Sequence, residues 1–130
     1  MRNPGRMTAP APIEARLRDH PLVSEAVVIG EQRNFPAALL VPDLAALAAK
    51  LGVDAAAASA RVGADDVRAL FQQTVDTANA GLAQFEKIKK FVVLPNEFSM
   101  ATGELTPTLK VKRRVIEEKY REEIERIYAG

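Results

Sequence analysis

The 130-residue chain has no cysteine, no tryptophan and one histidine. Without cysteine there is no disulfide framework, no thiolate metal site and no thiol nucleophile. A single histidine leaves a histidine-based metal cage short of ligands. No apolar run approaches the roughly 18 residues that a membrane-spanning helix needs. A charged-then-apolar leader is also missing, so the expectation is a soluble, intracellular protein. Charge of one sign is scarce overall, since 18 Lys and Arg oppose 17 Asp and Glu for a net +1. Apolar residues make up 48% of the chain, but 22 of them are alanines that bury little area each. One modest core is expected, without a deep enclosed pocket.

What charge there is sits unevenly. Residues 1–86 sum to −2, residues 87–114 to +5 and residues 115–130 to −2. The positive block comprises Lys87, Lys89, Lys90, Lys110, Lys112, Arg113 and Arg114. Such a local excess attracts anions even on a near-neutral chain, although a solvated face is the plainer explanation of a Lys-rich stretch.

Residues 1–11 lack apolar periodicity and read as a flexible lead-in or an expression remnant, which leaves 12–130 as the domain. Ile13, Leu17 and Leu22 suggest a short amphipathic helix with Pro12 in its first turn, ended by His20-Pro21. Ala26–Ile29 and Ala37–Val41 read as two buried strands of a hairpin turning at Gln32-Arg33-Asn34. Asp43 can cap a helix that Gly52 stops. The alanine-rich residues 53–63 read as an elaborated connection. Val67, Leu70, Phe71, Val75, Ala78 and Leu82 form a helical stripe. Phe91–Leu94 is a third strand, residues 95–108 a loop or small hairpin, and residues 109–129 one long helix. Exposed pairs such as Arg113–Glu117, Arg114–Glu118 and Lys119–Glu123 would decorate that helix. The fold class is therefore α+β: a short three-stranded, mostly antiparallel sheet with helices packed on it and a long C-terminal helix.

The chemically informative stretch is G-E-L-T-P-T-L-K-V-K-R-R, residues 103–114. A Gly/Thr/Pro loop feeds a basic helix start, and Pro107 stiffens it. Thr106 or Thr108 can bond free backbone donors at the helix entry. Lys110, at such a loop tip, offers a compact ammonium suited to phosphate or carboxylate oxygens. On the residues alone, an ordinary solvent-exposed lysine is the plainer explanation.

These residues also carry a resemblance. P-I-E (12–14), H-P-L-V-S-E-A-V-V-I-G (20–30), A-L-L-V-P-D (38–43), N-A-G-L-A-Q-F-E-K-I-K-K-F (79–91), Glu97-Phe98 and the 103–113 motif together resemble the C-terminal domain of adenylate-forming enzymes. Among these, the likeness is to long-chain fatty acyl-CoA synthetases, and it covers roughly residues 10–128. The resemblance implies a two-step ligase that couples a fatty acid to CoA through an acyl-adenylate. The substrates would be fatty acid, ATP and CoA, with Mg accompanying ATP in the full-length enzyme; no cofactor is expected on this domain alone. The family's catalytic lysine falls on Lys110. Glu104, Thr106, Pro107 and Thr108 would position it and the nucleotide. Lys112, Arg113 and Arg114 are weaker candidates, for phosphate or interdomain contacts, and a solvated face is the plainer reading of each. No metal ligand is implied.

The run Ser99-Met100-Ala101-Thr102 departs from the family's pattern after the Glu-Phe pair. The chain also lacks a Gly-rich phosphate loop and an acidic hinge motif before residue 12. The expected partner is therefore an N-terminal adenylation domain of the same polypeptide, and the isolated domain should be inactive. The resemblance implies a cytoplasmic enzyme, with peripheral association at the inner face of the membrane left open. The competing reading is a small basic-patch module for nucleic acid or anionic membrane, using residues 87–114, although no recognised nucleic-acid motif is present. His20 as a general base, and Phe85 and Phe91 as base-stacking rings, are weaker candidates than structural roles. Tyr120 and Tyr128 read as packing residues.

Overall fold

The computed structural model describes residues 10–29, 35–95, 97–98, 101, 103–108 and 111–129, without the side chains of Pro10, Ala11 and Phe85. The described chain runs α1 (Pro10–Arg18), β1 (Val23–Ile29), β2 (Ala37–Pro42), α2 (Leu44–Leu51), α3 (Ala55–Ala60), α4 (Asp65–Asn79), a 3-10 turn at Gln84–Glu86, β3 (Lys90–Val93), α5 (Arg113–Lys119) and α6 (Arg121–Ala129).

The sheet has the order β1-β2-β3. β1 and β2 form the expected antiparallel hairpin, with a bulge between Val23 and Glu25. β3, however, lies parallel to β2, pairing Ala37 with Lys90 through Leu40 with Val93. The sheet is thus mixed, where a mostly antiparallel one was expected. The reason is the crossover: three helices separate β2 from β3, and a connection of that length returns the chain to the end where β2 began.

All six residues of β2 are buried. Alternate side chains enter two separate cores. Ala38 and Leu40 join Val28, Phe91 and Val93 under Leu17, Leu47, Val67, Phe71 and Val75 from α1, α2 and α4. Leu39 and Val41 join Val27 and Leu94 under Ile116, Ile124 and Ile127 from α5 and α6. Helices therefore cover both faces, which is why the strands read as continuous apolar runs rather than alternating ones.

The local signals hold where they are local. Asp43 accepts the Ala46 N–H at 3.0 Å and caps α2, and Gly52 ends it with φ +72°. The 53–63 connection contains α3, capped by Asp54. α4 stops at Asn79, short of Leu82, because the Asn79 amide turns to bond the Ile88 N–H at 2.8 Å and its C=O at 3.0 Å. The expected turn at residues 32–34 lies outside the described residues.

The C-terminal helix differs most. It begins at Arg113, not 109, and breaks at Tyr120 into α5 and α6. Val111 is in an antiparallel bridge with Leu105. A residue so paired is extended and cannot belong to a helix.

Leu39 and Leu40 are both fully buried and face opposite cores. Leu39→Ala and Leu40→Ala should each lower the unfolding free energy by about 2–5 kcal/mol in urea titrations. Val115→Ala, at an exposed position, should change it by less than about 0.5 kcal/mol.

Candidate functional site

The 103–112 segment leaves the body of the domain at Gly103, whose φ of +79° suits only glycine without strain. It returns along itself. The Leu105–Val111 bridge and a 2.9 Å bond from the Lys112 N–H to the Glu104 C=O close its neck. Inside the loop the Thr106 and Thr108 hydroxyls lie 3.0 Å apart. Thr106 is half-buried, and Pro107 and Thr108 are exposed. Lys110 and Leu109 lie outside the described residues; Lys110 is the residue that immediately precedes the bridged Val111.

Glu104 anchors this loop from below. It is 1% exposed, and its Oε2 accepts from Lys119 Nζ at 2.9 Å and from the Tyr120 hydroxyl at 2.8 Å. Its carboxylate therefore faces the α5–α6 junction, not a ligand, and acts on the loop by holding its root. Burial, with the Glu104 carboxylate beside it, pushes the Tyr120 phenol above its ordinary value near 10. The phenol thus remains a donor. Phe98 packs beneath, with its ring centroid 6.2 Å from that of Tyr120.

The exit of the loop is held differently. Arg113 is the first residue of α5. Its guanidinium donates to the Val28 C=O at 2.9 Å and to Glu14 Oε2 at 2.6 Å. Glu14, itself buried, also accepts the Val28 N–H at 2.7 Å. Arg113 is thus committed to a carboxylate within the fold. It does not form the expected surface pair with Glu117, and its charge is not free for a phosphate. Lys119 likewise reaches Glu104 where Glu123 was expected. Lys112 and Arg114 are exposed.

The other cations of 87–114 do not line up as one bare face. Lys89 donates to the Gln84 C=O at 3.0 Å, and Lys90 to the Ile127 C=O at 3.3 Å. Phe91 is buried, with the Arg68 guanidinium 5.0 Å from its ring centroid. His20 Nδ1 accepts the Leu22 N–H at 3.1 Å and so holds the turn after α1. Tyr128 bonds the C=O of Ile29 and of Phe35. Among the described residues no group of three His, Cys, Asp or Glu could hold a metal ion.

The sequence reading missed Glu14, Lys119 and Tyr120 as parts of this assembly. For Glu14 a signal existed: a carboxylate directly beside Ile13, on the face that carries Leu17. Lys119 and Tyr120 gave none, because their partner lies 15 and 16 residues away.

Comparison with known proteins covers the whole arrangement. The profile of the family described as AMP-binding enzyme C-terminal domain matches residues 2–130. The long-chain-fatty-acid–CoA ligase FadD15 of Mycobacterium tuberculosis is 42% identical over 128 residues, which are 95% of this chain and 21% of that protein. The adenylation domain of a carboxylate reductase from Mycobacterium chelonae superposes with a TM-score of 0.76 at 26% identity, covering 95% of this chain and 18% of that one. The corresponding domain from Segniliparus rugosus, in complex with AMP and a co-purified carboxylic acid, superposes with a TM-score of 0.76 at 25% identity, covering 96% of this chain and 18% of that one. The chain spans about a fifth of the length of the curated relatives it matches.

The Glu104 anchor makes two measurable differences. Tyr120→Phe removes a donor to a buried carboxylate and should cost about 1–2 kcal/mol, whereas Lys119, 42% exposed, should cost less than about 1 kcal/mol when changed to Met. Because the folded-state pKa of Tyr120 is raised, the unfolded chain loses its phenolic proton first. The wild-type chain should therefore lose stability as pH climbs above about 10, and the Tyr120→Phe chain should lose less over the same range. Urea titrations of both chains between pH 8 and 11 measure the difference.

Proposed function

The chain belongs to the AMP-binding enzyme C-terminal domain family, and on that premise we propose that it is the mobile C-terminal lobe of an AMP-forming, long-chain fatty acid–CoA ligase. The missing four fifths would then be an N-terminal adenylation domain of the same polypeptide, holding the nucleotide and acyl sites. The observation that carries this reading is the closed-neck loop of residues 104–112. Its neck is bridged and its root is a buried carboxylate, which supports the assignment of the resembling family's catalytic lysine to this stretch.

Lys110 is the group assigned to the chemistry. In the first half-reaction a fatty-acid carboxylate attacks the α-phosphate of ATP, and pyrophosphate leaves. Two anions must approach one another, and negative charge accumulates between them. An ammonium delivered to that point offsets the repulsion and aligns the reacting oxygens. In the second half-reaction the CoA thiol attacks the acyl carbonyl and AMP leaves. That step needs no lysine between carboxylate and phosphate, so the lobe is free to turn another face to the site. Thr106, Pro107 and Thr108 hold the loop's shape. Lys112 and Arg114, both exposed, are the remaining candidates for phosphate or interdomain contact. Magnesium accompanies ATP in such enzymes. The described residues supply no ligand set for it, and no step here runs through it.

The full protein is read as cytoplasmic, with the inner face of the membrane as a peripheral site. Among the described residues no helix is long and apolar enough to cross a membrane. A basic-patch module for nucleic acid or anionic lipid is the weaker reading, because Lys89, Lys90 and Arg113 already bond groups of the fold.

A chimera tests this reading. This chain would replace the matching C-terminal fifth of the Mycobacterium tuberculosis ligase. Lys110→Ala should reduce ATP–pyrophosphate exchange by about two to three orders of magnitude, while thioester formation from preformed acyl-adenylate stays within a few-fold. Equal loss of both half-reactions would overturn the assignment. The 130-residue chain alone should form no thioester from acid, ATP and CoA.

A further inference from the structure

We propose that Glu14 and Arg113 are positioning residues: their ion pair across the edge of the sheet fixes the exit of the Lys110 loop to α1 and β1. The inference rests on the role proposed for Lys110.

The two ends of the loop are held in different ways. The entrance, at Glu104, is bonded through its carboxylate to Lys119 and Tyr120 of the α5–α6 junction. That anchor ties the loop to the helical layer it precedes. The exit is held at two successive residues: Lys112 through its N–H to Glu104, and Arg113 through its side chain to Glu14 and Val28. This second contact refers the loop to β1 and to the first helix of the domain.

The chemistry of the contact is directional. Two nitrogens of one planar guanidinium address two separate acceptors, a carboxylate and a backbone carbonyl, which an ammonium cannot match. Glu14 Oε2 is at the same time bonded by the Val28 N–H, so its position is set by the strand. Around the pair lies a polar cleft of about 370 Å³, lined in part by Glu14, Arg18, Val111 and Arg113. A cleft offers little apolar packing, so the bonds, rather than a filled core, hold the Arg113 side chain. The Arg113 side chain is 40% exposed. Glu14 is buried, so removing Arg113 takes the countercharge from a buried carboxylate and lowers global stability as well; the effect specific to the loop is the added loss of order at residues 111–113.

The pair is tested in the same chimera and in the 130-residue chain. Arg113→Met should lower kcat of ATP–pyrophosphate exchange by about 10- to 100-fold, since small misplacements of a reacting group cost that much. KM for ATP and thioester formation from preformed acyl-adenylate should stay within about twofold of wild type, the split expected when an interaction serves only one transition state. Arg113→Lys and Glu14→Gln, which keep the charge or the acceptor, should fall between. In the chain itself, amide exchange at Val111 and Lys112 should accelerate about tenfold more than at Leu39 and Leu40 of the central strand. Unchanged exchange at 111 and 112, equal loss of both half-reactions, or an equal acceleration at 111, 112 and throughout β2 would each overturn the proposal. If Lys110→Ala leaves adenylation intact, the reading of Lys110 fails instead, and the exchange measurement still decides whether the pair fixes the loop.

Discussion

An edge strand presents backbone donors and acceptors that no neighbouring strand will take, and β1 is such an edge. At Val28 both groups are satisfied by side chains, the N–H by Glu14 and the C=O by Arg113, and those two side chains satisfy each other. The arrangement answers two demands at once. It closes the edge against further pairing, and it places a buried carboxylate where it has both a hydrogen-bond donor and a countercharge. Because Glu14 comes from the layer on one face and Arg113 from the layer on the other, the contact joins two cores that the sheet otherwise separates.

The loop that this contact helps hold is braced, in its described residues 104–108 and 111–112, by bonds more than by burial. Its neck is closed by a bridge and a backbone bond, its root by a buried carboxylate, and its turn residues by Pro107 and two hydroxyls in contact. Extended geometry at Val111 forbids helix there and postpones the helix to Arg113. That delay matters electrostatically. A cation in the first turn of a helix sits against its positive end, and starting the helix three residues after Lys110 spares that lysine the cost. Arg113 and Arg114 bear it instead, and for Arg113 the Glu14 carboxylate compensates.

How much of this was legible follows from the range of each interaction. Asp43 and Gly52 were readable because a cap is decided by residues three or four apart. The continuous runs at Ala26–Ile29 and Ala37–Val41 showed that the strands were buried, and burial on both faces follows from that. The parallel pairing of β3 was not legible, since nothing in F-V-V-L specifies direction; the length of the crossover does. The surface pairs expected along α5 came from the i,i+4 rule, which compares only neighbours on one helix. Arg113 found a carboxylate 99 residues away instead. Lys119 found one that loop closure delivers to the helix junction. Glu104 stood inside a motif recognised as a whole, so its membership was visible while its buried, load-transferring position was not.

Every bond found to shape the loop begins and ends within this chain. Glu104, Lys119, Tyr120, Arg113, Glu14 and Val28 need no second domain to be satisfied. The neck so bonded, residues 104–105 and 111–113, keeps its internal geometry whichever way the surrounding lobe is turned. On the proposed reading this is what a lobe serving two half-reactions requires. Reorientation then changes which face meets the substrates, while the neck on either side of residue 110 is already bonded. The entropic cost of ordering that neck has been met during folding, so more of the interaction gained on arrival can act on the reacting oxygens.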